Sequence, residues 1–306
     1  MRFPSGSAWR GVTCVLFLAL ASAASTFAQS TALAHGLWVW KGPSVLADSN
    51  SAEDLRDFCQ AQGINEVYIS VAEDGDPSTE ARYAHLIFVL HRNNIRIEAL
   101  VSSTDADEPG KSRVNLLDHV LWVIQFNQNH ANNRFDGVHL DIEPQQRPEN
   151  KGDGNVAFLP NLIDAYRAVR ALTDPSHLTV DADIPRKLLR TDAAQRRALL
   201  SSVPRLTLML YRIDTPTDAQ TAQQQMDKLR AEGQTFLQMA YDGLSDDGLA
   251  KISIALRTPD YGPNLPQMLK SLDDANRANP HYSGWSRHSY NDTLAPATQL
   301  SSTPVK

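Results

Sequence analysis

The chain has 306 residues, 42% of them hydrophobic, and a formal charge of -6, enough length for one large domain or two small ones. The first 28 residues hold Arg2 and Arg10 and no acid, so setting them aside takes the charge from -6 to -8. An acidic exported chain is a poor binder of nucleic acid or of an anionic membrane, since both repel it.

Arg2 and Arg10 form a positive start, residues 12–24 an apolar stretch, and Thr26-Phe27-Ala28 a small-residue cleavage site ahead of Gln29. This pattern predicts a secretory signal peptide over residues 1–28 and a secreted or periplasmic mature protein. The apolar run is too short to span a bilayer comfortably as an uncleaved anchor, so no transmembrane segment is expected after cleavage. Cys59 is the only cysteine left in the mature chain, which excludes an intrachain disulfide. Beside Leu55 on a helix face it reads as a small buried hydrophobe. No Cys/His spacing resembles a structural zinc site, and no cofactor is expected.

Apolar alternating runs occur at residues 36–40, 66–72, 95–102, 137–143, 178–184, 206–211, 252–257 and 284–290. Amphipathic helical stretches separate them at residues 52–62, 80–93, 114–129, 156–172, 193–202, 219–244 and 265–276. Residues 235–241 are apolar enough for an extra strand. However, Met226, Leu229, Gly233, Leu237, Ala240 and Leu244 keep the 3-4 spacing of a helix face, and the segment is read as helix. Repeated βα units specify a parallel sheet under helical cover, and eight of them predict a single α/β domain, a (β/α)8 TIM barrel, over residues 29–291. An open doubly wound sheet competes, but no glycine-rich phosphate turn follows the first strand. The eighth helix is expected to be short or missing, with residues 292–306 a disordered polar tail. Trp285 is expected to cover part of the uncovered face.

Alternation sorts the strand residues into two sets. The outward set is aliphatic, for example Leu37 and Val39, Val67 and Ile69, Leu206 and Leu208. The inward set is Trp38, Trp40, Tyr68, Ser70, Glu98, Ser102, His139, Asp141, Glu143, Asp181, Asp183, Met209, Tyr211, Arg257, Ser286, His288 and Tyr290. A lumen this polar and aromatic suits a ligand site, and such barrels place their sites at the C-terminal strand ends.

The fourth strand concentrates the chemistry: Phe135-Asp136-Gly137-Val138-His139-Leu140-Asp141-Ile142-Glu143-Pro144. One face carries His139, Asp141 and Glu143, a costly set to bury without a purpose. Asp141 and Glu143 are about 6.6 Å apart along the strand. Two like charges in a desolvated pocket push one pKa upward, as a general acid requires. The structural alternative is a buried ion-pair network, Asp141 with Arg257 and Glu143 with His288. Trp38 and Trp40, with Tyr68, Tyr211 and Tyr290, offer flat apolar faces to sugar rings, although a tryptophan that only plugs the barrel is an equal reading of either alone. His288 and Tyr290 are candidates to bind substrate hydroxyls.

The run Asp136 to Glu143 resembles the strand-four signature of family-eighteen chitinases, D-x-x-D-x-D-x-E, with His139 in place of the middle Asp. Met209-Leu210-Tyr211 looks similar to the strand-six segment of that family, with Arg212 where chitinases usually carry Asp. The resemblance implies that Glu143 protonates the glycosidic oxygen. It implies further that Asp141 orients the substrate acetamido group acting as nucleophile, and that Tyr211 donates a hydroxyl to that group. The substrate-binding set then comprises Trp38, Trp40, His139, Asp181, Asp183, Arg257, His288 and Tyr290. The expected function is cleavage of a polysaccharide glycosidic bond, with a carbohydrate as the partner.

Other mechanisms stay open. A conventional retaining glycosidase needs a second carboxylate about 5–5.5 Å from the acid, and strand seven ends in Arg257, with Asp260 only after Pro259. Asp181, Asp183 or Asp214 acting as base on a water would give inversion, at a separation of about 6.5–9.5 Å. His139, Asp141, Glu143, Asp181, Asp183 and His288 include enough donors for a metal-dependent hydrolase. A non-catalytic carbohydrate-binding barrel is the remaining alternative.

Overall fold

The computed structural model describes residues 33–72, 76–152, 154–211 and 222–294. The expected signal peptide, Asp214 and residues 295–306 of the expected tail lie outside the described residues. The strands are β1 (Ala34–Val39), β2 (Glu66–Ser70), β3 (Arg96–Ser103), β4 (Gly137–Ile142), β5 (Thr179–Pro185), β6 (Arg205–Met209), β7 (Lys251–Arg257) and β8 (Tyr282–His288). Each pairs in parallel with the next and β8 pairs with β1, so the sheet closes as an eight-stranded barrel. Surrounding it are α1 (Gly42–Val45), α2 (Ser51–Gln62), α3 (Pro77–His91), α4 (Lys111–Asn129), α5 (Leu159–Thr173), α6 (Ala193–Leu200), α7 (Ala222–Tyr241), α8 (Thr258–Tyr261) and α9 (Leu265–Asn276). The expected (β/α)8 barrel is therefore the observed fold, and residues 235–241 lie in α7 rather than in a strand. No helix among the described residues is long and apolar enough to cross a membrane.

Local chemistry sets the helix ends. Asp76 accepts from the Ser78 backbone N–H at the start of α3, with Pro77 at its first position, and Asp192 accepts from Gln195 at the start of α6. Such caps satisfy N–H groups that a helix leaves unpaired. Gly63 stops α2 at a φ of 67°, a left-handed geometry that suits glycine.

Strand alternation makes two cores. Aliphatic residues of the outward set pack under the helices, joined by Cys59, fully buried with its thiol pushed up to about 12 by that burial. Inside the barrel Trp38, Tyr68, Leu100 and Ala255 form a second apolar cluster, with Trp40 and Tyr211 against it. Gly36 makes room for it: a Cβ there would stand 2.5 Å from the Tyr68 hydroxyl and 2.6 Å from Ser286 Oγ.

Below that cluster, at the N-terminal strand ends, lies an ion network whose carboxylates are buried. Arg205 holds Glu66 at 2.6 Å and Asp181 through Nε at 2.8 Å. Arg96 reaches Glu66 at 3.1 Å and Glu98 at 3.2 Å. Register sets two of these contacts, since Glu66 pairs with Arg96 and Asp181 with Arg205 across adjacent strands.

Among the described residues no helix follows β8. Side chains close the seam between α2 and α9 instead. Trp285 stacks on His35 at 4.2 Å, His35 Nε2 lies 2.8 Å from Asp273, and Arg287 donates to Gln62 at 3.1 Å.

Candidate active site

Glu143 follows the last residue of β4 and sits at the C-terminal mouth of the barrel, its backbone N–H donating to the Ser103 carbonyl at 2.8 Å. Pro144 then opens a short helical turn, which brings Gln145 and Gln146 back over the carboxylate. Gln145 donates to Glu143 Oε1 at 2.9 Å and Gln146 donates to Oε2. Glu143 stays partly exposed, whereas Asp141 and His139 beneath it are buried.

Burial raises the Glu143 pKa to about 7, helped by the charge of Asp183 and opposed by the Gln145 hydrogen bond. Asp141 is pushed well above the usual carboxylate range, first by burial and then by Asp183 and Glu143. Its Oδ1 is buried with no hydrogen-bond partner among the described residues. The site thus combines a proton held near neutrality with an acceptor left open. Neither ion pair of the structural alternative forms among the described residues, because Arg257 engages Asp260 and His288 engages Trp40.

Tyr211, just past the end of β6, has its phenol pushed well above 10 by burial and by Asp183, Asp141 and Glu143. It is therefore a neutral hydroxyl that feels the charge of all three carboxylates. Its ring lies 5.6 Å from that of His288. His288 at the end of β8 accepts from Trp40 Nε1 at 2.9 Å, and burial lowers its pKa, so the neutral imidazole carries its proton on Nδ1. The turn after β8 fixes Trp40 from behind: Asn291 accepts its backbone N–H at 2.8 Å and donates to its carbonyl at 2.9 Å.

The other expected site residues separate. Trp40 is partly exposed at the mouth, but Trp38 is 1% exposed and wedged against Tyr68 and His139 as a plug. Arg257 reaches the mouth and is held by Asp260 at 2.6 Å. Asp183 lies below Glu143, its Oδ1 3.0 Å from His139 Nε2. Asp181 is in the floor of the barrel, bound to Arg205, away from the mouth. Tyr290 corrects the expectation that it faces the lumen. Its ring packs at 5.1 Å on Phe58 of α2, in the outer layer. The strand ends at His288 and the chain turns through a Ser289–Asp292 hydrogen bond, so alternation does not extend to residue 290.

The six potential metal donors do not converge on one point. Among the described residues, Glu98, His139 and Asp181 bring three donor atoms within 4.8 Å of one another. There Asp181 is bound to Arg205 and Glu98 is paired with Arg96, two cations that oppose a third. Sequence reasoning missed Gln145, Gln146 and Asn291, which position Glu143 and Trp40. Their only sequence signal was their place directly after strand ends.

No protein-family model matches the sequence, and no curated protein does. Among solved structures, an endo-1,4-β-mannanase from Rhizomucor miehei is similar with a TM-score of 0.55 over 84% of this chain and 86% of that one, at 9% identity. A chitinase from Chromobacterium violaceum covers 84% of this chain and 94% of its own, at 14% identity and a TM-score of 0.48. The glycoside hydrolase domain of PgaB from Bordetella bronchiseptica gives the same coverages at 11% identity and a TM-score of 0.49. Likeness at these identities concerns the fold alone, and the mannanase, at a TM-score of 0.55, is similar to this chain in its barrel fold.

Proposed function

We propose that this chain is an exported glycoside hydrolase that cleaves a polysaccharide, with Glu143 as general acid and Asp141 as orienting carboxylate. The observation that carries the reading is Glu143 itself, a carboxyl at the barrel mouth whose pKa is raised to about 7. A donor matched to neutral pH is half ionised there, which is the compromise between availability and acidity that general acid catalysis favours. In this reading Glu143 protonates the departing glycosidic oxygen. The open Oδ1 of Asp141 accepts an N–H from a substrate acetamido group, holding its carbonyl oxygen against the anomeric carbon. The neutral Tyr211 hydroxyl donates to the same group. Trp40, partly exposed beside the site, gives a sugar ring an apolar face to stack on.

Anomeric proton NMR on acetamido-sugar and neutral oligosaccharides tests the reading. Cleavage of the acetamido oligomers with initial retention of configuration is expected, since the substrate group attacks first and water second. Inversion would replace substrate assistance by a water activated at a second carboxylate, with Asp183 the first to examine. Binding without cleavage of any oligomer would leave a carbohydrate-binding barrel and remove the catalytic role of Glu143.

A further inference from the structure

His139 lies at the centre of the lumen, fully buried, between a floor of ions and a mouth of carboxylates. Its Nε2 stands 3.0 Å from Asp183 Oδ1, and its Nδ1 stands 3.6 Å from Glu98 Oε2, an ion-pair distance longer than a hydrogen bond. A neutral imidazole has one nitrogen without a proton. Here that nitrogen would face a carboxylate oxygen, lone pair against lone pair, on whichever side it lay. The doubly protonated ring is attracted by both neighbours, through a hydrogen bond to Asp183 and a charge contact with Glu98. Its planar faces fit a cation as well: Tyr68 stacks on it at 3.8 Å and 20°, and Trp38 meets it at 5.5 Å, the aromatic surroundings that attract positive charge.

We propose that His139 is a positioning residue for the Glu143 site, a buried imidazolium clamped between Glu98 and Asp183 that fixes the Asp183 carboxylate beside Asp141 and below Glu143. The inference rests on the reading of Glu143 as proton donor. The titratable groups around the ring come from four strands: Tyr68 on β2, Glu98 on β3, Asp141 on its own β4, and Asp181 and Asp183 on β5. Arg96 and Arg205 anchor Glu98 from the floor. Burial disfavours the charged ring, but Asp183 and Glu98 outweigh it and raise the His139 pKa to about 10. Asp183 is in turn the first charge acting on both Asp141 and Glu143. A cation at position 139 therefore reaches the proton donor through one intermediate carboxylate. Histidine stands where the chitinase signature carries an acid, and here β5 supplies the carboxylate beside Asp141.

Nitrogen NMR of the histidine rings in the wild-type protein tests the first half. Both His139 nitrogens are expected to carry protons at pH 7.5, and a neutral or metal-bound ring would overturn the proposal. Carbon NMR of the side-chain carboxyls tests the second half without any substrate. In folded Asp183→Asn the Glu143 midpoint should fall by roughly one pH unit, the effect expected of removing a nearby like charge. His139→Gln removes the cation that holds Asp183 and should move the Glu143 midpoint as well. An unchanged Glu143 midpoint in folded Asp183→Asn refutes the relay even if His139→Gln does not fold. Expected titrations in a protein that cleaves no glycan would refute the hydrolase reading and leave the clamp standing.

Discussion

Replacing Glu143 by Gln should stabilise the protein in mild alkali and not in acid. The folded state holds the Glu143 proton up to about pH 7, whereas the ordinary value is 4.5. Between those limits the native state binds more protons than the unfolded chain, so stability falls as pH rises through the window. At 1.36 kcal/mol per pH unit, ionising Glu143 in place costs the fold roughly 3 kcal/mol at most above pH 7. Partial exposure of the carboxyl lowers that toward about 2 kcal/mol. Gln removes this cost and also gives up one of the two hydrogen bonds from Gln145 and Gln146, worth about 1 kcal/mol at every pH. Urea titrations of both proteins at pH 4 and pH 8 separate the two effects. Glu143→Gln should be the less stable protein at pH 4 and the more stable at pH 8, a swing of about 2 kcal/mol. An equal difference at both pH values would mean that Glu143 titrates normally, and the acid assignment would lose its basis.

Gly36→Ala should destabilise the fold by about 1–3 kcal/mol, because the added methyl meets the Tyr68 and Ser286 hydroxyls inside a packed lumen. A melting temperature equal to wild type would contradict that packing. Arg205→Met leaves Asp181 without its cation and Glu66 with Arg96 alone, and should cost about 3–5 kcal/mol in urea unfolding. An effect under about 1 kcal/mol would mean the floor is solvated. The His139 pKa is raised from 6.5 to about 10, so its contribution is complete below pH 6.5 and lost as pH rises through 10. Wild-type stability should fall across that range more steeply than that of His139→Gln, and parallel curves would refute the assignment.

Alternation carried most of the fold. A period-2 pattern names the inward and outward faces of a strand, and the 3-4 spacing from Met226 to Leu244 distinguishes helix from strand in an apolar segment that composition leaves ambiguous. It ran out where the backbone leaves the lattice. Tyr290 shares its parity with His288, but the strand stops at His288 and the next residues turn. Arg205 shares the parity of Met209 but falls one residue before the run 206–211, and Glu66, inside the run 66–72, shows no partner in the sequence of its own strand. Register, which pairs Asp181 with Arg205, is a property of two strands and cannot be read from one. The carboxylates of β4 were legible for the opposite reason: three ionisable groups on one face of one strand need no partner to be noticed.

Glu143 as proton donor is tested most directly by release of reducing ends from acetamido-sugar and neutral polysaccharides at pH 6 by wild type and by Glu143→Gln. Wild type should turn over an acetamido-sugar polymer, and the variant should lose about 10²- to 10⁴-fold with the polymer still bound. Equal turnover by both proteins, or binding without turnover by either, would contradict that role.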